Sequence, residues 1–295
     1  MSHNKTVDKA YDAKRLNEQS VKGALWKNRP LGYDAERMRK ARDEFGRDPR
    51  FLIERSFNPM TIKNGAIAVA ADWHVPFYDR NLAAELIITC EEYGIEELAI
   101  PGDLWDCDNY SRFVHLGWRE CFRAEIDEVR KVMLVLLEHF DHIYCCRGNH
   151  EKRWIDGNFG MMGMRELFTL LELPSKSYSV TLDDNMDLVS GGKKWLLAHP
   201  RNFRQMPLSV ARVLANKYHM NICTAHGHQW EQGISTGGHY DLIDAGGMFN
   251  PYALEYLRQT NTYPAVQGGF YLIIDGKAIP FKNENPKHKI GGINK

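Results

Sequence analysis

The chain has 295 residues, enough for one large domain or two small ones. Its 43% hydrophobic and 26% charged content is that of a globular protein, and no apolar run approaches the roughly 18 residues that cross a membrane. Lysine plus arginine equal aspartate plus glutamate, 38 against 38, so whole-chain charge argues neither for nor against a nucleic-acid partner.

The start, Met1-Ser2-His3-Asn4-Lys5, lacks the apolar core of a secretory signal. Six cysteines are too few for a disulfide framework, and Cys107 and Cys121 lack metal-finger spacing. Reduced thiols in a cytoplasmic protein without a membrane segment are the expectation. Residues 1–64 read as a helical N-terminal extension. Met38, Ala41 and Phe45 recur at helical spacing, Gly46 can close the helix, and the mildly basic segment 14–29 carries Trp26. Packing on the core is the plainer role for this segment. Contact with an anionic substrate is the alternative.

The core is expected over residues 65–282, with a mobile tail at 283–295. Ala66–Ala70 is a short apolar run typical of a buried strand. Asp79 can cap a helix with Leu82, Leu86 and Cys90 on its apolar face, closed by Gly94. A strand at 97–100 follows. Phe122, Ile126, Val129, Met133, Leu136 and Phe140 then form a second helical stripe, and His142–Cys146 a third strand that points Cys145 and Cys146 to opposite faces. This alternation is an α/β pattern with crossovers long enough for parallel strands. Gly157–Met164 reads as a flexible loop before a helix at 164–173. Strands follow at 177–182, 186–190 and 194–198, a helix at 206–218, a strand at 221–225, and further strands within 233–247 and 269–281.

Five of these strands end in side chains that can ligate a metal: Asp72 and His74; Asp103; Asn149 and His150; His199; His226 and His228. Ligand sites in α/β sheets lie beyond the carboxyl ends of strands. A single histidine at a strand end is more often a satisfied polar residue than a ligand, and a lone Gly-Asp says little. All five in order say much more. The donors are carboxylate, imidazole and amide without thiolate, which suits Mn²⁺, Fe or Zn²⁺ in an open site rather than a closed structural zinc. Asp72, His74, Asp103, Asn149, His199, His226 and His228 are too many for one ion and suitable for two. His3, His115, His139, His142, His219 and His288 have no such setting.

Asp72-x-His74, Gly102-Asp103-x-x-Asp106, Gly148-Asn149-His150-Glu151, His199 and His226-Gly227-His228 resemble the five motifs of the calcineurin-like metallophosphoesterases. Ala225 departs from the glycine usual there. Asn109–Phe113, after the second motif, is similar to bacterial and phage members. The resemblance implies a four-layer αββα sandwich of two mixed sheets. It also implies that Asp72, His74 and His228 hold one metal, that Asn149, His199 and His226 hold the other, and that Asp103 bridges them. His150 would then serve the leaving group, oriented by Asp106. The implied cofactors are two divalent ions, Mn first, with Fe, Zn or Mg as alternatives.

The expected reaction is hydrolysis of a phosphate ester by hydroxide held between two ions about 3.5–4 Å apart. A phosphodiester in DNA, RNA or a nucleotide is favoured. A phosphomonoesterase acting on a phosphoprotein or small metabolite is the alternative, and a non-catalytic binding module a lesser one. Arg112, Arg153 and Arg201, with Lys152, stand next to motifs and are candidates for phosphate oxygens. Tyr110, Trp73 and Trp105 are candidates for stacking on a base. Packing and surface charge are the plainer explanation for both sets. Oligomeric state is left open.

Overall fold

A computed structural model describes residues 36, 39–40, 60–111, 121–174, 176–254 and 266–283. The chain divides into two units, Met1–Ser56 and Phe57–Lys295. In the first, Glu36, Arg39 and Lys40 are helical and exposed, within the helix expected near residues 33–45. The segment 14–29, Arg112, His3, His115, His288 and residues from 284 onward lie outside the described residues.

The described residues of the second unit form two six-stranded sheets. The first has the order β1-β6-β7-β8-β10-β9. Its strands are β1 (Thr61–Lys63), β6 (Asn185–Ser190), β7 (Lys193–Ala198), β8 (Asn221–Thr224), β9 (Trp230–Ile234) and β10 (Asp241–Ala245). The second has the order β12-β11-β2-β3-β4-β5. It contains β2 (Ala66–Val69), β3 (Glu97–Pro101), β4 (His142–Cys146), β5 (Tyr178–Val180), β11 (Gly269–Ile274) and β12 (Lys277–Lys282). β2, β3, β4 and β5 are mutually parallel, while β11 is antiparallel to both of its neighbours, β2 and β12. β1 pairs in parallel with β6, so the sheets begin at Thr61, ahead of the expected start at 65. Asn283, expected to open a mobile tail, is instead buried and donates to Asp79.

Strand alternation builds the layers. Ile67 and Val69 of β2 point between the sheets, where they meet Leu188, Trp195, Leu197, Cys223 and Ile243. Ala68 and Ala70 point to the other face, against α1 (Arg80–Tyr93) and α2 (Phe122–His139). Cys145 and Cys146 face opposite layers as expected, and all six cysteines are free thiols. On the far side, Leu196 and Ile222 pack against Ala211 and Ala215 of α5 (Ser209–Tyr218). The result is helix, sheet, sheet, helix, the expected sandwich. No helix among the described residues is long and apolar enough to cross a membrane.

The helix ends follow the sequence. Asp79 accepts from the backbone N–H groups of Asn81 and Leu82, and Gly94 closes α1 at φ 65°. Ile126, Val129, Met133 and Leu136 bury the stripe of α2, and truncating Leu136 to Ala would cost about 2–5 kcal/mol. One helix is additional. Asn149–Gly157 forms α3, so the third motif opens a helix rather than a loop. A short α4 (Met164–Thr169) follows.

Candidate metal centre

The ends of β2, β3, β4, β7 and β8 meet at one edge of the sandwich, so both sheets contribute. Backbone bonds beyond the strands fix the turns. His74 N donates to Asp103 O at 3.0 Å, Val75 N to Leu104 O at 3.0 Å and Ala225 N to Ala198 O at 2.9 Å. Space is tight enough to dictate glycine twice. A Cβ on Gly102, which has φ 80°, would lie 2.5 Å from His199 Nδ1, and one on Gly148 would collide with the Asp103 carboxylate. Asp72, His74, Asp103, His226 and His228 all have positive φ, between 47° and 70°. Non-glycine residues rarely adopt that conformation, and it clusters where surroundings hold a functional geometry.

Among the described residues the side chains form three groups of potential ligands: Asp72 with His74 and His228, Asp103 with His199 and His226, and His74 with Asp106 and His150. His74 Nε2 lies 3.1 Å from His228 Nε2, and His228 Nε2 3.3 Å from Asp72 Oδ1. His199 Nε2 lies 2.9 Å from Asn149 Oδ1 and 3.2 Å from Asp103 Oδ2. Asp103 Oδ2 also stands 3.9 Å from His74 Nε2 and 3.8 Å from His150 Nε2, yet this buried oxygen accepts no hydrogen bond. A buried carboxylate oxygen left unpaired costs free energy unless something else meets it, and a cation is the natural partner.

Tautomers point the same way. His199 Nδ1 donates to Pro101 O at 2.9 Å, and His74 Nδ1 to Asp106 Oδ1 at 3.0 Å. Both rings thus turn Nε2 inward, the arrangement by which second partners orient metal-bound histidines. Burial holds His74 and His226 below the usual histidine range, His226 at about 4, leaving lone pairs for a cation. Burial opposes charge on His199 too, but the Asp103 carboxylate outweighs it and lifts the ring to about 10. Burial also opposes ionisation of Asp103, and His199 and His150 nonetheless hold it well below the carboxylate range. Buried carboxylates, inward-facing imidazole nitrogens and an amide oxygen fit divalent cations.

His150 stands beside these groups, its Nδ1 donating to Asp106 O at 2.6 Å and lying 3.2 Å from Asp106 Oδ1. Burial works against its protonation, but the Asp103 and Asp106 carboxylates raise it above the usual histidine range. Asp106 thus serves two rings, His74 as well as His150. Arg153 Nη1 lies 3.1 Å from His150 Nδ1, whose proton already points to Asp106 O, so this is a close approach rather than a hydrogen bond.

The other candidates fare differently. Arg201 is 64% exposed and leans toward Asp184 at 4.0 Å. Lys152 is engaged by Asp156 at 2.6 Å. Trp73 and Trp105 are wholly buried, which leaves neither ring for stacking on a base and agrees with the plainer reading as packing, and half-buried Tyr110 packs against Phe122. His139 pairs with Glu91, and His142 with Ser179. Two carboxylates went unassigned by the sequence. Glu151 accepts from the backbone N–H groups of Asp103, Trp105 and Gly148, which ties two ligand turns together. Burial and Asp103 raise it to about 7. Glu125 on α2 accepts from Cys107 N at 2.7 Å and braces the turn that follows Asp106. Its signal was a charged residue on the apolar stripe, three residues from Phe122 and four from Val129.

A comparison with curated proteins finds no match. Solved structures similar to the chain include an archaeal phosphodiesterase, 14% identical, covering 74% of this chain and 99% of that one at a TM-score of 0.41. Others are the Escherichia coli phosphoesterase YfcE (13% identical, 72% and 96%, TM-score 0.40) and Vacuolar Protein Sorting 29 from Cryptosporidium parvum (14%, 74% and 96%, TM-score 0.41). The family model for calcineurin-like phosphoesterases matches residues 65–269, more than half of the chain and all five ligand-bearing turns. On that match the protein belongs to the calcineurin-like phosphoesterases, hydrolases that act on phosphate esters.

Proposed function

We propose that the chain is a phosphodiesterase that works with two divalent metal ions. Asp72, His74 and His228 hold one ion, Asn149, His199 and His226 the other, and Asp103 bridges them. The observation that carries this reading is the buried Asp103 Oδ2, which accepts no hydrogen bond and stands 3.2 Å from His199 Nε2 of one proposed ligand set and 3.9 Å from His74 Nε2 of the other. Mn²⁺ is the first choice, because the donors are hard oxygens and imidazoles without thiolate. Two such ions, when bound, polarise the phosphoryl oxygens and acidify water.

The chain's own groups supply the rest. The proton on His150 Nδ1 is committed to Asp106 O, so Nε2–H of the imidazolium faces the ligand cluster and is placed to protonate the leaving oxygen. Asp106 keeps that ring charged and oriented, and it fixes His74 as well. Arg153 places a cation beside His150, in reach of a phosphate oxygen. Charge favours the diester. Among the described candidates Arg153 alone is drawn to the cluster, while Lys152 and Arg201 lean toward carboxylates. One cation suits a monoanionic diester better than a dianionic monoester.

The test is hydrolysis of bis(p-nitrophenyl) phosphate against p-nitrophenyl phosphate with Mn²⁺, Zn²⁺ and Mg²⁺. Preference for the bis-ester is expected. Turnover of the mono-ester alone would replace this reading with a phosphomonoesterase.

A further inference from the structure

The peptide unit between Asp106 and Cys107 is held at both ends. Its carbonyl, Asp106 O, accepts from His150 Nδ1 at 2.6 Å, and its N–H, on Cys107, donates to Glu125 Oε1 at 2.7 Å. Glu125, Cys107 and His150 are all buried, which strengthens both bonds. One chain of hydrogen bonds thus runs from α2 through a single amide to the ring of His150. The turn does not fall into this geometry unaided. Cys107 sits at φ 49° and ψ 37°, a left-handed conformation that non-glycine residues rarely adopt, and the bond to Glu125 helps to hold it there. Asp106 N donates to Val75 O at 3.2 Å, and Cys107 O accepts from Tyr110 N at 3.0 Å, which fixes the chain on either side.

An amide transmits what happens at one end to the other. An acceptor on its N–H draws electron density toward the carbonyl oxygen, which then accepts more strongly. The bond from His150 Nδ1 in turn decides which nitrogen faces the ligand cluster, and Nε2 lies 3.8 Å from Asp103 Oδ2. Were residue 125 apolar, the Cys107 N–H would lose its acceptor while buried, and a rotation of the peptide toward another acceptor would withdraw the carbonyl from His150. Glu125 is otherwise out of place, a carboxyl beside Ile126 and Val129 on the buried face of α2. Burial raises it to about 8, so at neutral pH it keeps its proton and accepts through a carbonyl oxygen, as the amide of glutamine would.

We propose that Glu125 is a positioning residue for His150: by engaging the N–H of the Asp106–Cys107 peptide it sets the carbonyl that orients His150 Nδ1–H, and so aims Nε2–H at the leaving oxygen. The assignment rests on the leaving-group role proposed for His150 and adds a residue from a helix that carries none of the candidate ligands.

Two variants separate this role from simple bracing of the turn. Glu125→Met removes the acceptor at similar volume, and Glu125→Gln keeps it. The first readout is NMR of the full chain, isotope-labelled at the histidine nitrogens. The His150 Nδ1–H resonance, identified by its absence in His150→Ala, should lie downfield in the wild type and in Glu125→Gln. In Glu125→Met it should move upfield or vanish through exchange with water. The second readout is turnover with Mn²⁺ of bis(p-nitrophenyl) phosphate and of diphenyl phosphate, whose poorer leaving group needs more help from an acid. Glu125→Met should lower kcat more on diphenyl phosphate, with KM unchanged and by less than the roughly 10²–10⁴-fold that a general acid contributes. Glu125→Gln should restore both rates. If the chain turns over mono-esters only, p-nitrophenyl and phenyl phosphate form the same pair. Should Glu125→Met not fold, Glu125→Asp, which draws the carboxyl back by one methylene, takes its place. An Nδ1–H resonance unmoved in Glu125→Met, or equal losses on the two esters, overturns the proposal. Equal losses there beside a selective loss in His150→Ala would sink the positioning role and spare the acid. Equal losses in His150→Ala as well would remove the acid itself, and the proposal with it.

Discussion

Replacing Glu125 with Gln should stabilise the fold, increasingly so as pH rises. Glu125 is 3% exposed and its one hydrogen bond is accepted from Cys107 N. Burial raises its pKa from 4.5 to about 8, with the nearby Asp106 charge adding to the effect. An acid whose folded pKa lies above its unfolded value keeps a proton that the unfolded chain has released. Between those values the folded state binds more protons, and stability falls as pH increases. At about 1.4 kcal/mol per unit, the penalty is roughly 1 kcal/mol at pH 5, about 3 at pH 7 and nearly 5 above pH 8. Gln keeps the acceptor for Cys107 N and never ionises, so it escapes the penalty. Urea midpoints of the wild type and Glu125→Gln at pH 5, 7 and 9 read the difference directly, and contributions from all other titrating groups cancel in it. A difference that is flat with pH, or a variant less stable than wild type at pH 7, refutes the reasoning.

Three other substitutions address the site. His150→Ala should keep its metals by elemental analysis and lose about 10²–10⁴-fold in turnover, the usual worth of a general acid; unchanged turnover would remove the role. Asp103→Ala should lose both ions together, and two retained ions per chain would exclude the bridge. Gly148→Ala adds a Cβ against the Asp103 carboxylate and should cost about 1–3 kcal/mol through overpacking, with weakened metal binding; a variant with wild-type metal affinity and urea midpoint would mean that the turn yields freely.

The candidate ligands were legible because each lies within a few residues of a strand end, where local pattern and chemistry coincide. The α1 caps and the α2 stripe were legible for the same reason. What escaped depends on contacts distant in sequence. β1 is three residues with no pattern of its own, and its partner β6 lies more than 120 positions later. α3 begins behind Gly148, a cap without a side chain, so no residue announced it. That miss hid another: three residues apart on one helix, His150 and Arg153 are neighbours, whereas in a loop they need not be.

The positive φ angles at Asp72, His74, Asp103, His226 and His228 carry a lesson about heredity. Each costs about 1–3 kcal/mol at a non-glycine residue, and glycine or asparagine would relieve part of it. Folding alone would thus let every one of these positions drift away from its present occupant. Descendants freed from their reaction should lose these residues early and become more robust as they do so.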